Sequence, residues 1–333
     1  MTRAAVIGAG AWGTTFASVL TDAGTQTTLW GRDPESLATI AAHGRNERAL
    51  PGLQLAHGIA ATMDAEEALA DADIVAIAVP AQKARALVSE LAALIPTNAV
   101  VVSLMKGVET GTHLRMSDLL TQVTGIGAER VAVVSGPNLA REIAARQPTA
   151  TVVAASELEA AERVAAATAS GYFRPYTNTD VVGVELCGAY KNVIAVGVGV
   201  SDGLGFGYNT TATVITRGLT EIARLGLVLG ARPETFSGLA GMGDLIATCA
   251  SPLSRNHMLG KRIGAGSTLA EAVASSDGTA EGVATSLSIK ELAAELGVDV
   301  PICDAVVTML AGEVAPEEVL SLLLSRPRKA EVA

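Results

Sequence analysis

Ala4-Ala5-Val6-Ile7-Gly8-Ala9-Gly10-Ala11-Trp12-Gly13-Thr14 decides the fold of this chain. Four apolar residues run straight into three glycines spaced G-x-G-x-x-G, and a helix-like stretch, Thr14–Ala23, follows and stops at Gly24. Strand, glycine turn and helix in that order form the dinucleotide fingerprint. Gly8 permits the tight turn, Gly10 lets the backbone approach a pyrophosphate, and Gly13 lets the helix pack on the strand. The helix N-terminus then offers free N–H groups and the positive end of its dipole to the anion. A glycine-rich turn with a purely structural job has the same spacing. Its place between a strand and a helix, so near the N-terminus, favours the nucleotide.

Outward from this stretch, Thr27–Trp30 reads as the second strand, ending in Gly31-Arg32-Asp33-Pro34. NAD enzymes place a carboxylate here for the ribose diol. Asp33 before Pro34 reads instead as a helix N-cap with proline at the first helical position. Arg32 suits a ribose 2′-phosphate, so the expected cofactor is NADPH or NADH, with NADPH favoured. Apolar strands at Ile74–Val79, Ala99–Val102 and Val131–Val134 alternate with helical stretches at Ala81–Leu94, Thr110–Thr121 and from Leu139. Runs at Thr149–Ala154 and Tyr172–Tyr176 complete the sheet. Continuous apolar strands between helices predict a Rossmann-like, doubly wound parallel sheet covered on both faces. Ligands then bind beyond the carboxyl ends of the strands, where the glycine turn, Val79-Pro80, Lys106-Gly107 and Gly136-Pro137-Asn138 all lie.

From Asp180 the alternation stops and long helical patterns take over, which predicts an N-terminal domain over 1–180 and an all-α domain over 181–333. Gly183-Val184-Glu185-Leu186-Cys187-Gly188-Ala189-Tyr190-Lys191-Asn192 runs on into an apolar stretch to Val200. A lysine there either snorkels from a core helix or serves as a catalytic ammonium. Glycines at 183, 188, 197 and 199 weaken a helix, so something is expected to approach this backbone closely. Asp244 follows two glycines in Gly241-Met242-Gly243, and is otherwise a helix cap. Ser254-Arg255-Asn256 supplies a hydroxyl, a planar cation and an amide in a row. At a helix start that triplet suits a phosphate; elsewhere it is a solvated turn. A polar loop, Ser275–Ala280, leads to Glu281.

The totals exclude several classes. With 49% hydrophobic and 17% charged residues over 333 positions, two packed domains are expected rather than disorder. A net charge of −10 disfavours nucleic acid and anionic membrane. Three scattered cysteines and four histidines without ligand spacing point to reduced thiols and no metal site. No signal pattern opens the chain, and no apolar run is read as a membrane span, so a cytoplasmic protein is expected.

Five segments in order, 8–14 (GAGAWGT), 106–109 (KGVE), 135–138 (SGPN), 183–195 with 201–207, and 238–245 with 254–256 (SRN), resemble the NAD(P)-dependent glycerol-3-phosphate dehydrogenase family of bacterial type. The likeness spans the chain from Gly8 to about Leu324. It implies reversible reduction of dihydroxyacetone phosphate to sn-glycerol 3-phosphate by NAD(P)H, feeding glycerophospholipid synthesis. By resemblance Lys191 is the proton donor and acceptor, and Lys106 sits between nicotinamide and substrate. Gly136, Asn138 and Asp244 would touch the substrate, and Ser254, Arg255 and Asn256 would hold its phosphate. Gly8, Gly10, Ala11, Trp12, Gly13 and Arg32 would meet the adenosine and pyrophosphate part, and Lys106, Ala140, Arg255, Thr279 and Glu281 the rest of the cofactor. Asn138 stands where the family usually has Ser or Thr, and Met105 where a small residue is common. The alternatives are a β-hydroxyacid or ketopantoate-type dehydrogenase, which the phosphate-suited triplet disfavours, and a non-catalytic NADP(H) sensor, which would need no buried lysine. A homodimer is expected from the apolar helical domain.

Overall fold

A computed structural model of the chain describes residues 1–275 and 280–319. Its strands are β1 Arg3–Ile7, β2 Gln26–Trp30, β3 Ala60–Thr62, β4 Ile74–Ile77, β5 Val100–Ser103, β6 Val131–Ser135, β7 Thr149–Ala155 and β8 Phe173–Asn178. They form one sheet in the order β3-β2-β1-β4-β5-β6-β7-β8. The helices that cover it are α1 Ala11–Asp22, α2 Pro34–His43, α3 Ala65–Leu69, α4 Ala84–Leu91, α5 Met116–Thr124, α6 Ala140–Ala144 and α7 Leu158–Thr168. Two apolar cores fill the space, one on each face: Val6, Phe16, Leu29 and Val102 belong to one, Ile7, Val75, Val101 and Leu119 to the other. Alternate residues of the same strands feed opposite faces, as the pleat requires.

The sheet departs from the all-parallel expectation at one place. β7 runs antiparallel to β6, and β8 is parallel to β7. The connection after β6 contains only the five-residue α6, which climbs about 7 Å, against roughly 16 Å for the five residues of β6. It cannot carry the chain back along the sheet, so the next strand returns the other way. The helix expected over Thr110–Thr121 is also corrected: α5 begins only at Met116. Before it, Gly111 and His113 both take positive φ, 84° and 56°, which interrupts any helix. The N-terminus of α5 is held instead by Glu185, whose Oε1 accepts from Ser117 N at 2.9 Å.

The helical part follows: α8 Val181–Gly203, α9 Tyr208–Val228, α10 Pro233–Ser237, α11 Asp244–Ala250, α12 Arg255–Gly264, α13 Leu269–Ala274, α14 Glu281–Glu295 and α15 Pro301–Leu310. The chain is thus a Rossmann-like N-terminal sheet followed by an all-α C-terminal part. By length and composition α8 is apolar enough to cross a bilayer, contrary to the reading that no run is. Its burial accounts for that apolarity, since α9, α11, α12, α14 and α15 pack around it.

The glycines of α8 make room for protein. A Cβ on Gly199 would stand 2.0 Å from His257 O, and one on Gly203 2.3 Å from Lys261 O. From the other side, a Cβ on Gly260 would stand 2.1 Å from Val196 O, and one on Gly264 2.3 Å from Val200 O. α8 and α12 therefore run parallel with their backbones touching. Gly188 similarly admits Ser135 Oγ, at 2.6 Å from a built Cβ, so β6 seats against α8. Gly197, with nothing nearer than 3.5 Å, has no such role.

Candidate active site

The first strand delivers its glycine turn to the carboxyl edge of the sheet, because Ile7 pairs with both Trp30 and Ile77. Gly8 has φ 117°, and a Cβ there would meet Ala78 O at 2.4 Å. A Cβ on Gly13 would meet Gly8 O at 1.9 Å, whereas one on Gly10 would enter open space. The two outer glycines are thus consumed by packing, and the middle one leaves its backbone open to a ligand. α1 starts at Ala11 with no side-chain cap on Gly10, so its first N–H groups lack intrahelical partners. Trp12 Nε1 is buried and has no hydrogen-bond partner. An uncapped helix start and an orphaned donor beside an open glycine fit a dinucleotide pyrophosphate.

At the end of β2, Asp33 occupies the N-cap position of α2 and Pro34 the first helical one, but the carboxylate caps nothing. It accepts from Ser36 Oγ and Arg48 Nη1 instead. Arg32 lies over the Trp30 ring and pairs with Glu90.

A buried cluster joins the two parts of the molecule. Asp244 is 1% exposed and sits at the start of α11, after a π-helical turn at Leu239–Gly243. Gly241 permits that turn, because a Cβ there would lie 2.2 Å from Phe236 O. Lys191 Nζ donates to Asp244 Oδ1 at 2.6 Å and to Thr248 Oγ1. Lys106 Nζ, arriving on the loop after β5, donates to Asp244 Oδ2 at 2.7 Å and to Gly136 O at 3.0 Å. Each carboxylate oxygen thus holds one ammonium. Burial lowers the Lys106 pKa to about 8; the Asp244 charge opposes that shift and Lys191 adds to it.

Two amides tie the cluster to its surroundings. Asn192 Nδ2 donates to Lys106 O at 3.3 Å, and Asn256 Nδ2 donates to Asn192 Oδ1 at 3.0 Å. Asn256 Oδ1 in turn accepts from Gly282 N at 2.9 Å. α8, α12 and α14 are thereby locked to the Lys106 loop. Ser254 caps α12, accepting from His257 N, and is buried, while Arg255 beside it is exposed. Glu281 opens α14, and its Oε1 accepts from Ala81 N at 3.3 Å across the crevice. Burial raises the pKa of Glu281, and the charge of Arg255 opposes the rise. Asn138 Nδ2 is spent on Thr151 Oγ1, at 2.9 Å, while its Oδ1 is buried without a partner. Ala140 O accepts from Thr15 Oγ1 at 3.1 Å, which keeps α6 against α1. Thr279 lies outside the described residues.

Lys106, Gly136, Lys191 and Asp244 therefore meet directly, and Asn256 reaches them through Asn192. Arg32 takes no part in that cluster. Sequence reasoning gave no role to Asn192 or Thr248. Thr248 stands four residues after Asp244, a spacing that puts both on one helix face.

Comparison with known proteins agrees in order and extent. The description "NAD-dependent glycerol-3-phosphate dehydrogenase N-terminus" matches residues 3–161, and the corresponding C-terminus description matches 180–321. The chain is 51% identical over 329 residues to a glycerol-3-phosphate dehydrogenase [NAD(P)+] of Streptomyces coelicolor, covering 99% of this chain and 98% of that one. Among solved structures, glycerol-3-phosphate dehydrogenase from Coxiella burnetii superposes with a TM-score of 0.91 at 33% identity, covering 98% and 99% of the two chains. A ketopantoate reductase from Ralstonia eutropha shares the fold alone, with a TM-score of 0.61 at 17% identity over 96% of this chain and 100% of that one.

Proposed function

This chain belongs to the NAD-dependent glycerol-3-phosphate dehydrogenase family, and on that premise we propose how its crevice performs the reaction. The chain is an NAD(P)-dependent oxidoreductase that interconverts dihydroxyacetone phosphate and sn-glycerol 3-phosphate. A nicotinamide held in the crevice would supply or accept the hydride. Lys191 gives a proton to the carbonyl oxygen as charge develops on it, and takes one back in the reverse direction. Lys106 supports the same oxygen from the sheet side, and Gly136 acts by holding Lys106. Asp244 aims both ammonium groups and lies by the substrate hydroxyls, with Asn138 flanking. Arg255 grips the phosphate, and the N-terminus of α12, shaped by Ser254 and Asn256, adds its dipole. Gly10, Ala11 and Trp12 take the pyrophosphate on the turn that Gly8 and Gly13 permit, and Arg32 takes the adenosine end. Ala140 and Glu281, with Lys106 and Arg255, line the approach to the nicotinamide, and the family resemblance adds Thr279 to the cofactor contacts.

The observation that carries this reading is the convergence of two lysines, one from each part of the chain, Lys191 buried and Lys106 half-buried, on a single buried carboxylate. Following NADPH absorbance with dihydroxyacetone phosphate and then with ketopantoate tests it. Turnover is expected with the first only, and the reverse preference would overturn the assignment. The division at 1–180 and 181–333, a cytoplasmic homodimer and supply of glycerophospholipid synthesis complete the proposal.

Two further outcomes follow. Arg255→Ala is expected to raise KM for the phosphorylated ketone, by roughly 10- to 100-fold for a lost charge-assisted bond, with a smaller change in kcat. A variant whose KM stays put would take the phosphate away from Arg255. The second concerns pH. Lys106 is charged below about pH 8 and neutral above it. The charged form supports the developing oxyanion, so kcat/KM for reduction should fall as pH rises through about 8. A reduction profile flat to pH 9 would exclude Lys106 from supporting that oxygen.

A further inference from the structure

At the end of β2 the one carboxylate suited to a ribose diol is already engaged. Asp33 Oδ2 accepts from Ser36 Oγ and from Arg48 Nη1 at 3.1 Å. Those contacts, Ser36 first and Arg48 second, hold its carboxyl below the usual range. On the neighbouring position Arg32 stands 5.7 Å from the Trp30 ring centroid and 3.1 Å from Glu90. The side chains of Arg32 and Arg48 are 68% and 78% exposed, and exposed ion pairs of this kind are given up easily. A phosphate dianion is a stronger partner for a guanidinium fork than one carboxylate oxygen.

Arg48 is also held close to the cofactor turn. It lies on the segment between α2 and β3, and Asn46, two residues earlier, is 1% exposed. Asn46 Nδ2 donates to Ala9 O at 3.0 Å, inside the glycine turn, and to Thr14 Oγ1 at 2.9 Å, while its Oδ1 accepts from Ala49 N at 3.1 Å. A Cβ on Gly31 would lie 2.9 Å from Ala9 Cβ, so the end of β2 touches the same turn. Buried anchoring on one side and a loosely paired guanidinium on the other describe a side chain positioned for an anion.

We propose that Arg48 is a second specificity residue for the cofactor, gripping the 2′-phosphate of NADPH together with Arg32 while Asp33 serves as its exchange partner. With NADPH, Arg48 turns from Asp33 to the phosphate and screens the two negative groups from each other. With NADH, Arg48 stays on Asp33 and the unmodified ribose meets no repulsion. Removing Arg48 therefore loses an attraction and leaves Asp33 uncompensated beside a dianion. The proposal rests on the reading of this crevice as a dinucleotide site.

Calorimetric titration of the full chain with NADPH, NADH, adenosine 2′-monophosphate and adenosine 5′-monophosphate tests it without any turnover. Arg48→Gln should weaken NADPH and the 2′-monophosphate by about 10- to 100-fold, and leave NADH and the 5′-monophosphate within about threefold. Arg48→Gln combined with Asp33→Asn should recover part of the NADPH affinity, because the repulsion is gone. Equal weakening of NADPH and NADH, or no weakening of NADPH, overturns the role of Arg48. Failure of the unaltered chain to bind either dinucleotide would instead overturn the reading of the crevice.

Discussion

Lys191→Ala is expected to lower kcat for dihydroxyacetone phosphate reduction by roughly 10²- to 10⁴-fold, the range for loss of an acid/base group. The Kd for NADPH should stay within about twofold, since Lys191 lies among α8 and α11 rather than at the glycine turn. Two features make the loss severe. Lys191 is 6% exposed, so no bulk water stands ready to replace its proton. Its nearest substitute, Lys106, is committed to the other oxygen of Asp244 and to Gly136 O. Lys191→Met, which keeps the stem and removes the charge, separates chemistry from packing and should behave alike. Steady-state kinetics beside a calorimetric titration gives both numbers, and turnover near the unaltered rate in either variant would strike Lys191 from the mechanism.

Asp244→Asn should cost the molecule more broadly. Two ammonium groups would then face each other across a neutral amide in a site that is almost closed to solvent. Breaking a buried ion pair by removing one partner costs about 3–5 kcal/mol. For a chain of this size that is a fall in Tm of roughly 4–7 °C. The deficit has a defined pH dependence. Without the opposing charge of Asp244 the Lys106 pKa falls further below its ordinary value, so the folded state sheds its proton before the unfolded one, and stability recovers as pH rises. The gap between variant and parent in a thermal scan should therefore be widest at pH 7 and narrow toward pH 9. Activity should be lost at every pH. An unchanged Tm at pH 7 would mean that the two lysines do not depend on this carboxylate.

How much of this was legible depended on whether the cause was local. β1, β4, β5 and β6 announce themselves as apolar runs ended by glycine, proline or serine, and the glycine turn between β1 and α1 has its own spacing. β3 is only Ala60-Ala61-Thr62, which carries no strand signature. The reversal of β7 follows from the shortness of α6, which a run of small and charged residues does not reveal. The late start of α5 depends on Glu185, 68 residues beyond Ser117. The cluster was legible in its charged members, Lys106, Lys191 and Asp244, because charges in apolar or glycine-rich stretches stand out. Asn192 and Thr248 did not stand out, since an amide and a hydroxyl are ordinary in a helix until their neighbours are known. Gly199 shows an expectation that left its object open: a close approach was expected, and it is that of α12.

That backbone seam between α8 and α12 works as a caliper. On the proposed assignment one jaw carries the proton donor at Lys191 and the other carries the phosphate grip at Arg255. Because main chain meets main chain along the seam, neither helix can slide by a turn without driving Cα atoms into carbonyls. The span that admits three carbons is thus cut into the polypeptide itself. Substitutions around the crevice can retune its charge, but tolerance for a longer ketose phosphate would require rebuilding the seam.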